Sequence, residues 1–119
     1  PAIVGGNTVI ILASSEKPLC AVTFGEVINS SDVPGGVVNI LTGYRSELLT
    51  HFANHMDVNA IMYSGNSQEE ISKIKELASL NVKRALIYSN IDDMNESTHN
   101  GYRIMDVQET KTTWHPIGQ

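Results

Sequence analysis

The chain has 119 residues, 41% hydrophobic and 18% charged, the proportions of one globular domain with a core rather than a disordered segment. Thirteen acidic against eight basic residues give a formal charge of −5, which disfavours nucleic acid and anionic membranes as partners because both reward basic patches. No apolar stretch approaches the ~18 residues of a membrane span, no basic region precedes the first apolar run, and the lone Cys20 can form no internal disulfide, so a reducing cytoplasm is the expected setting.

Beginning on Pro1 without a methionine, the sequence reads as a piece of a longer polypeptide. "NTVIILA" (Asn7 to Ala13) is a β-branched apolar run, as in a buried parallel strand. Lys17 to Ser30 predicts a helix, with Pro18 near its first position and serines before it, weakened by Gly25. "VPGG" is a turn, and Gly36 to Thr42 a second strand. Arg45 to His55 carries Leu48, Leu49 and Phe52 on one face of a short helix, and Val58 to Ser64 is a third strand. Ser67 to Leu80 is the clearest helix, with Ile71, Ile74, Leu77 and Ala78 in one stripe, and Val82 to Ser89 is a fourth strand. The alternation predicts an α/β fold, a Rossmann-like parallel sheet of about four βα-connected strands with helices on both faces.

Beyond Asn90 the rhythm stops. A polar stretch leads to a weak helix over Tyr102 to Val107, and then "QETKTTW" alternates as an isolated C-terminal extension strand, Gln108 to Trp114. Residues 1–90 thus read as the domain proper, and 91–119 as linker, short helix and an oligomerisation-type strand. An unpaired edge strand is a liability, so this one is expected to pair with another chain or with the rest of a longer one, anchored by Trp114.

The stretch "YSGNSQEE" (Tyr63 to Glu70) lies where the third strand turns into a helix, a place that suits a phosphate. Ser67-x-x-Glu70 matches a capping box, which would satisfy the same N–H donors. Two carboxylates, Glu69 and Glu70, about 4–6 Å from a pyrophosphate would each oppose it by on the order of 1 kcal/mol. The expected state is a self-capped helix. His51 and His55 stand four apart, but no third ligand is evident, and Asp92, Asp93 and Glu96 lack the alternation of a calcium loop; no metal site is expected. Cys20, on an apolar helix, reads as a buried small hydrophobe rather than a nucleophile, and Lys83 and Arg84 as surface charges.

The first ninety residues resemble the coenzyme-binding domain of aldehyde dehydrogenases. The stretches that carry the resemblance are "PAIVGGNTVII", "KPLCA", "VPGGVVNILTG", "HMDVNAIMYSGNS" and "NVKRALI", in the family's order, and "ETKTTW" resembles its C-terminal oligomer strand. The departures are specific. Where the family has K-P-S-E, whose lysine and glutamate reach the adenosine ribose, this chain has Leu12-Ala13-Ser14-Ser15. Where it has G-S-T-E-V-G, Gly65 survives and Glu70 replaces the second glycine. Tyr88 stands in place of the general-base glutamate, a poor base at neutral pH that is expected to plug the space of a substrate channel. The segment with the nucleophilic cysteine is absent.

The resemblance therefore implies a non-catalytic relative, with no catalytic residue, no cofactor and a structural or oligomerisation role as the C-terminal part of a longer chain. The alternative it leaves open is the NAD-binding domain of an active aldehyde oxidoreductase. In that case NAD or NADP would meet Ser64, Gly65, Asn66 and Ser67 at the pyrophosphate, and Ser15 or Glu16 at the ribose.

Overall fold

Every apolar run and amphipathic stripe between residues 9 and 88 forms the element its spacing predicts, trimmed by one or two residues at its ends. The computed structural model describes residues 1–91, 94–98 and 100–118, so Asp92 and Asp93 lie outside the described residues. In chain order the elements are β1 (Val9–Leu12), α1 (Pro18–Asn29), β2 (Val38–Leu41), α2 (Arg45–Asn54), β3 (Ala60–Ser64), α3 (Gln68–Ser79), β4 (Arg84–Tyr88) and α4 (Tyr102–Met105).

The strands pair in parallel, as the helical crossovers require. Val9 faces Val38 and Leu12 faces Leu41 in one ladder; Ala60 faces Arg84 and Ser64 faces Tyr88 in the other. The α/β class is the expected one. Its arrangement differs in one respect: among the described residues the four strands make two separate parallel pairs rather than a single sheet.

The core sits in the second half of the chain. Leu49 and Ala53 of α2 pack with Ile61 and Tyr63 of β3 and with Ile71 and Ile74 of α3, and Ile74 is fully buried. The first half has little of its own. α1 contains no buried residue, and Leu19, Phe24, Val27 and Ile10 are all more than half exposed. Cys20 shares that exposure, which corrects the expectation of a buried thiol: the apolar surroundings exist in sequence but nothing is packed over them. No helix of the described residues is long and apolar enough to cross a membrane.

Two further expectations change. The strand over Gln108–Trp114 does not form, because a strand exists only by pairing and this segment meets no ladder. The chain is anchored up to Gln108: Val107 is buried, the Asn7 side-chain amide donates to the Val107 carbonyl at 3.3 Å, and Arg84 donates to that of Gln108. Residues 109–118 then run without regular structure, Trp114 being 87% exposed. Lys83, expected at the surface, is instead buried. It immediately precedes β4, near the end of α2 where orphan carbonyls collect, and its Nζ donates to Phe52 O at 2.9 Å and His55 O at 2.8 Å.

Candidate functional site

The carboxyl ends of β1, β2 and β3 open onto one cleft of about 620 Å³, the position at which open α/β sheets take ligands. Five of the six candidate cofactor residues line it: Ser15 and Glu16 from the turn after β1, and Gly65, Asn66 and Ser67 from the turn after β3. Ser64 ends β3 and is not part of the lining. Several of the lining residues are already engaged. Ser15 Oγ donates to Gly43 O at 3.3 Å, and Asn66 Oδ1 accepts from the backbone N–H of Asn90 at 3.2 Å, tying the cleft floor to the turn after β4. That turn runs through Asn90 at φ 56°, which asparagine tolerates.

The helix end behaves as half of a capping box. Ser67 Oγ accepts from the Glu70 N–H at 3.4 Å, as expected. Glu70 does not reach back to its own helix. Its Oε2 lies 3.2 Å from Arg45 Nη1 and also accepts the Tyr63 hydroxyl. The reason is competition: a guanidinium and a phenol offer the carboxylate a charge-assisted pair of donors, which outweighs one exposed backbone N–H. Glu69 remains in the first turn of α3 and is not among the cleft's linings.

Sequence reasoning missed Arg45 and Tyr63. Arg45 is the first residue of α2 and the one cationic side chain among the residues lining the cleft; its guanidinium also sits 6.0 Å from the Tyr63 ring centroid. The available signal was its place just past the carboxyl end of β2, in the crevice where such sheets bind ligands. Tyr63 has its ring folded back across Gly65. A Cβ at Gly65 would stand 2.6 Å from the Tyr63 oxygen and 2.7 Å from its Cζ, so only glycine leaves room for the phenol. Burial, then the bond to Glu70, holds the Tyr63 pKa above its ordinary value, with Arg45 opposing. The hydroxyl stays protonated and donating at neutral pH.

Tyr88 points away from this cleft. Its hydroxyl donates to Asp106 Oδ2 at 3.0 Å, and Arg103 lies 5.2 Å from its ring centroid, so it fastens β4 to the segment around α4. His55 Nδ1 accepts from the Asp57 N–H at 3.2 Å at an exposed turn. Among the described residues no three His, Cys, Asp or Glu side chains group as metal ligands.

The pattern of the aldehyde dehydrogenase family matches residues 1–88. The chain is 38% identical over 86 residues to aldehyde dehydrogenase 1A1 of Bos taurus, covering 71% of this chain and 17% of that protein. It is 34% identical over 84 residues to the mitochondrial aldehyde dehydrogenase of Leishmania tarentolae, again covering 71% of this chain and 17% of the relative. Among solved structures it is similar to a mutant aldehyde dehydrogenase C from Pseudomonas syringae in complex with NAD+ and octanal. There the TM-score is 0.65 and the identity 28%, covering 69% of this chain and 17% of that one. The chain thus spans about a sixth of the length of the curated relatives it matches.

Proposed function

The chain belongs to the aldehyde dehydrogenase family, and from that premise we propose that it is a coenzyme-domain segment without chemistry of its own, whose cofactor cleft is closed by its own side chains. The observation that carries this reading is the Tyr63 phenol lying over Gly65 and held there by Glu70 and Arg45. A glycine is useful beside a phosphate because the backbone can be approached closely. Here that approach is taken by an aromatic ring. Family cofactors fit these residues poorly on two further counts. Leu12 supplies no cation for the ribose and the Glu16 carboxylate stands one residue beyond the family's position, and the cleft's arginine is already paired. No cysteine lines the cleft to serve as the family's nucleophile, and Tyr88, in place of the general base, is turned toward Asp106.

The role left is structural. Its partner would be the rest of a longer chain or another copy, met through the segment from Gln108 to Trp114, in a reducing compartment such as the cytoplasm. Deleting residues 109–119 should leave the fold intact and abolish any self-association seen by analytical ultracentrifugation. A monomer at all concentrations, with and without the deletion, sinks self-association.

A second reading has its own support. Five of the six residues expected around NAD or NADP lie on one cleft. Calorimetric titration separates the readings: no heat with millimolar NAD or NADP is expected for a closed cleft, and micromolar binding of either overturns it.

A further inference from the structure

We propose that the Asn100–Gly101 peptide is a self-modifying site, at which the Asn100 side chain cyclises onto the Gly101 nitrogen, expels ammonia and ends as an isoaspartate that unfastens α4 and the tail behind it. Asn100 is the only asparagine of the sequence followed by glycine. Attack on the carboxamide needs the next backbone nitrogen to come close, and a side chain on that next residue obstructs the approach. Here the approach is open: Asn100 is exposed, and a Cβ on Gly101 would meet nothing within 4 Å. Gly101 caps the start of α4, so its N–H lies ahead of the helical ladder. The carboxamide is also held in place, because Asn100 Oδ1 accepts the Tyr102 N–H at 3.1 Å. That oxygen takes the negative charge when nitrogen adds to Cγ, so a backbone donor already faces the developing oxyanion.

The Gly101 nitrogen gives its proton to solvent base and bonds to Asn100 Cγ; the Cγ–Nδ2 bond breaks, and ammonia leaves. Water then opens the cyclic imide. Opening at Cγ leaves aspartate, whereas opening at the main-chain carbonyl leaves isoaspartate, in which the chain runs through the former side chain and is one methylene longer. The two products act oppositely on α4. Aspartate keeps the Oδ1 acceptor and adds a negative charge at the helix start, which favours the helix. Isoaspartate takes the Asn100 carbonyl out of the main chain, and that carbonyl accepts the Arg103 N–H at 3.2 Å. A helix as short as α4 does not persist by propensity, so losing its first bonds undoes it. With it goes the fastening of the tail: Asp106 Oδ2, which accepts the Tyr88 hydroxyl at 3.0 Å, Arg103, 5.2 Å from the Tyr88 ring centroid, and the buried Val107 just beyond.

Incubating the full chain at mildly alkaline pH and mapping its peptides by mass spectrometry tests the proposal. Asn100 should gain one mass unit sooner than any other asparagine, with isoaspartate detected there by isoaspartyl methyltransferase labelling. The rate in the folded chain should equal or exceed that of the same chain in urea, because only folding brings the Tyr102 N–H onto Oδ1. Gly101→Ala should slow the gain by roughly tenfold. That variant keeps its fold, since Gly101 has an ordinary φ of −63° and open space around it. The isoaspartate form, separated by ion exchange through its extra charge, should be cleaved faster by trypsin after Arg103. Its Tyr88 should titrate lower, toward the ordinary tyrosine value, once burial and the Asp106 bond are lost. The proposal is overturned if Asn100 stays unmodified, if folding slows its reaction relative to urea, or if Gly101→Ala reacts as fast as the parent. An isoaspartate form that titrates and is cleaved like the parent overturns the unfastening.

Discussion

Val82 adopts φ 55°, a left-handed conformation in which a β-branched side chain crowds the backbone, and its side chain is 93% exposed. It thus contributes strain and no packing. Val82→Gly should raise stability by about 1 kcal/mol, read as a shift of the urea midpoint at constant slope. One residue on, Lys83 is held by two carbonyls at the end of α2, and burial lowers its pKa below the ordinary 10.5. Lys83→Met leaves both carbonyls short of a donor and should cost about 1–3 kcal/mol at pH 7. The sign with pH follows from the lowered value. The folded chain releases this proton before the unfolded one, so this residue's contribution to stability rises as pH climbs from the lowered pKa toward 10.5. The difference between parent and Lys83→Met should therefore widen over that alkaline window; a constant difference would show that the lysine titrates normally. Gly65→Ala should displace the Tyr63 ring and release Glu70, visible as a lower tyrosine pKa in ultraviolet titration.

Helices α2 and α3 are packed into the core, whereas α1 is not. α3 buries Ile71, Ile74 and Ala78 along one face, and Ile74→Ala should cost about 2–5 kcal/mol, because it opens a cavity in the only contiguous core of the described residues. α1 is apolar on nearly every side yet buries nothing, a composition found in helices covered all round. Phe24→Ser should accordingly change stability by no more than about 0.5 kcal/mol while reducing binding of a hydrophobic dye. A large loss of stability would mean that Phe24 is packed in solution.

The molecule as a whole exposes more surface than its mass warrants. Its 9191 Å² compares with about 6,300 Å² for a compact 13.0 kDa monomer, and its radius of gyration of 16.6 Å with about 13.5 Å for a compact chain of this length. Part of the excess is the extended segment 109–118, and part is the uncovered face of α1 and β1. A standard interface takes about 800 Å² from each partner, so the exposed surface is ample for the structural role proposed above. Small-angle scattering should return a radius near 16.6 Å for the isolated chain at low concentration, and a smaller one after removal of residues 109–119.

Local patterning determined the elements: β-branched runs at Val9–Leu12 and Ala60–Ser64, the apolar stripe of α3, and Ser67 as its cap were all legible, because each depends on neighbours within a turn or a strand. So was the family, whose loop residues appear in order along the chain. What only the tertiary structure decided rests on contacts between distant residues. Arg45 and Glu70 are 25 positions apart, and Lys83 meets carbonyls 28 and 31 positions away. No periodicity encodes such distances. The same holds for the tail, where "ETKTTW" has the alternation of a strand but no ladder within reach, since pairing is a property of the partner as much as of the sequence.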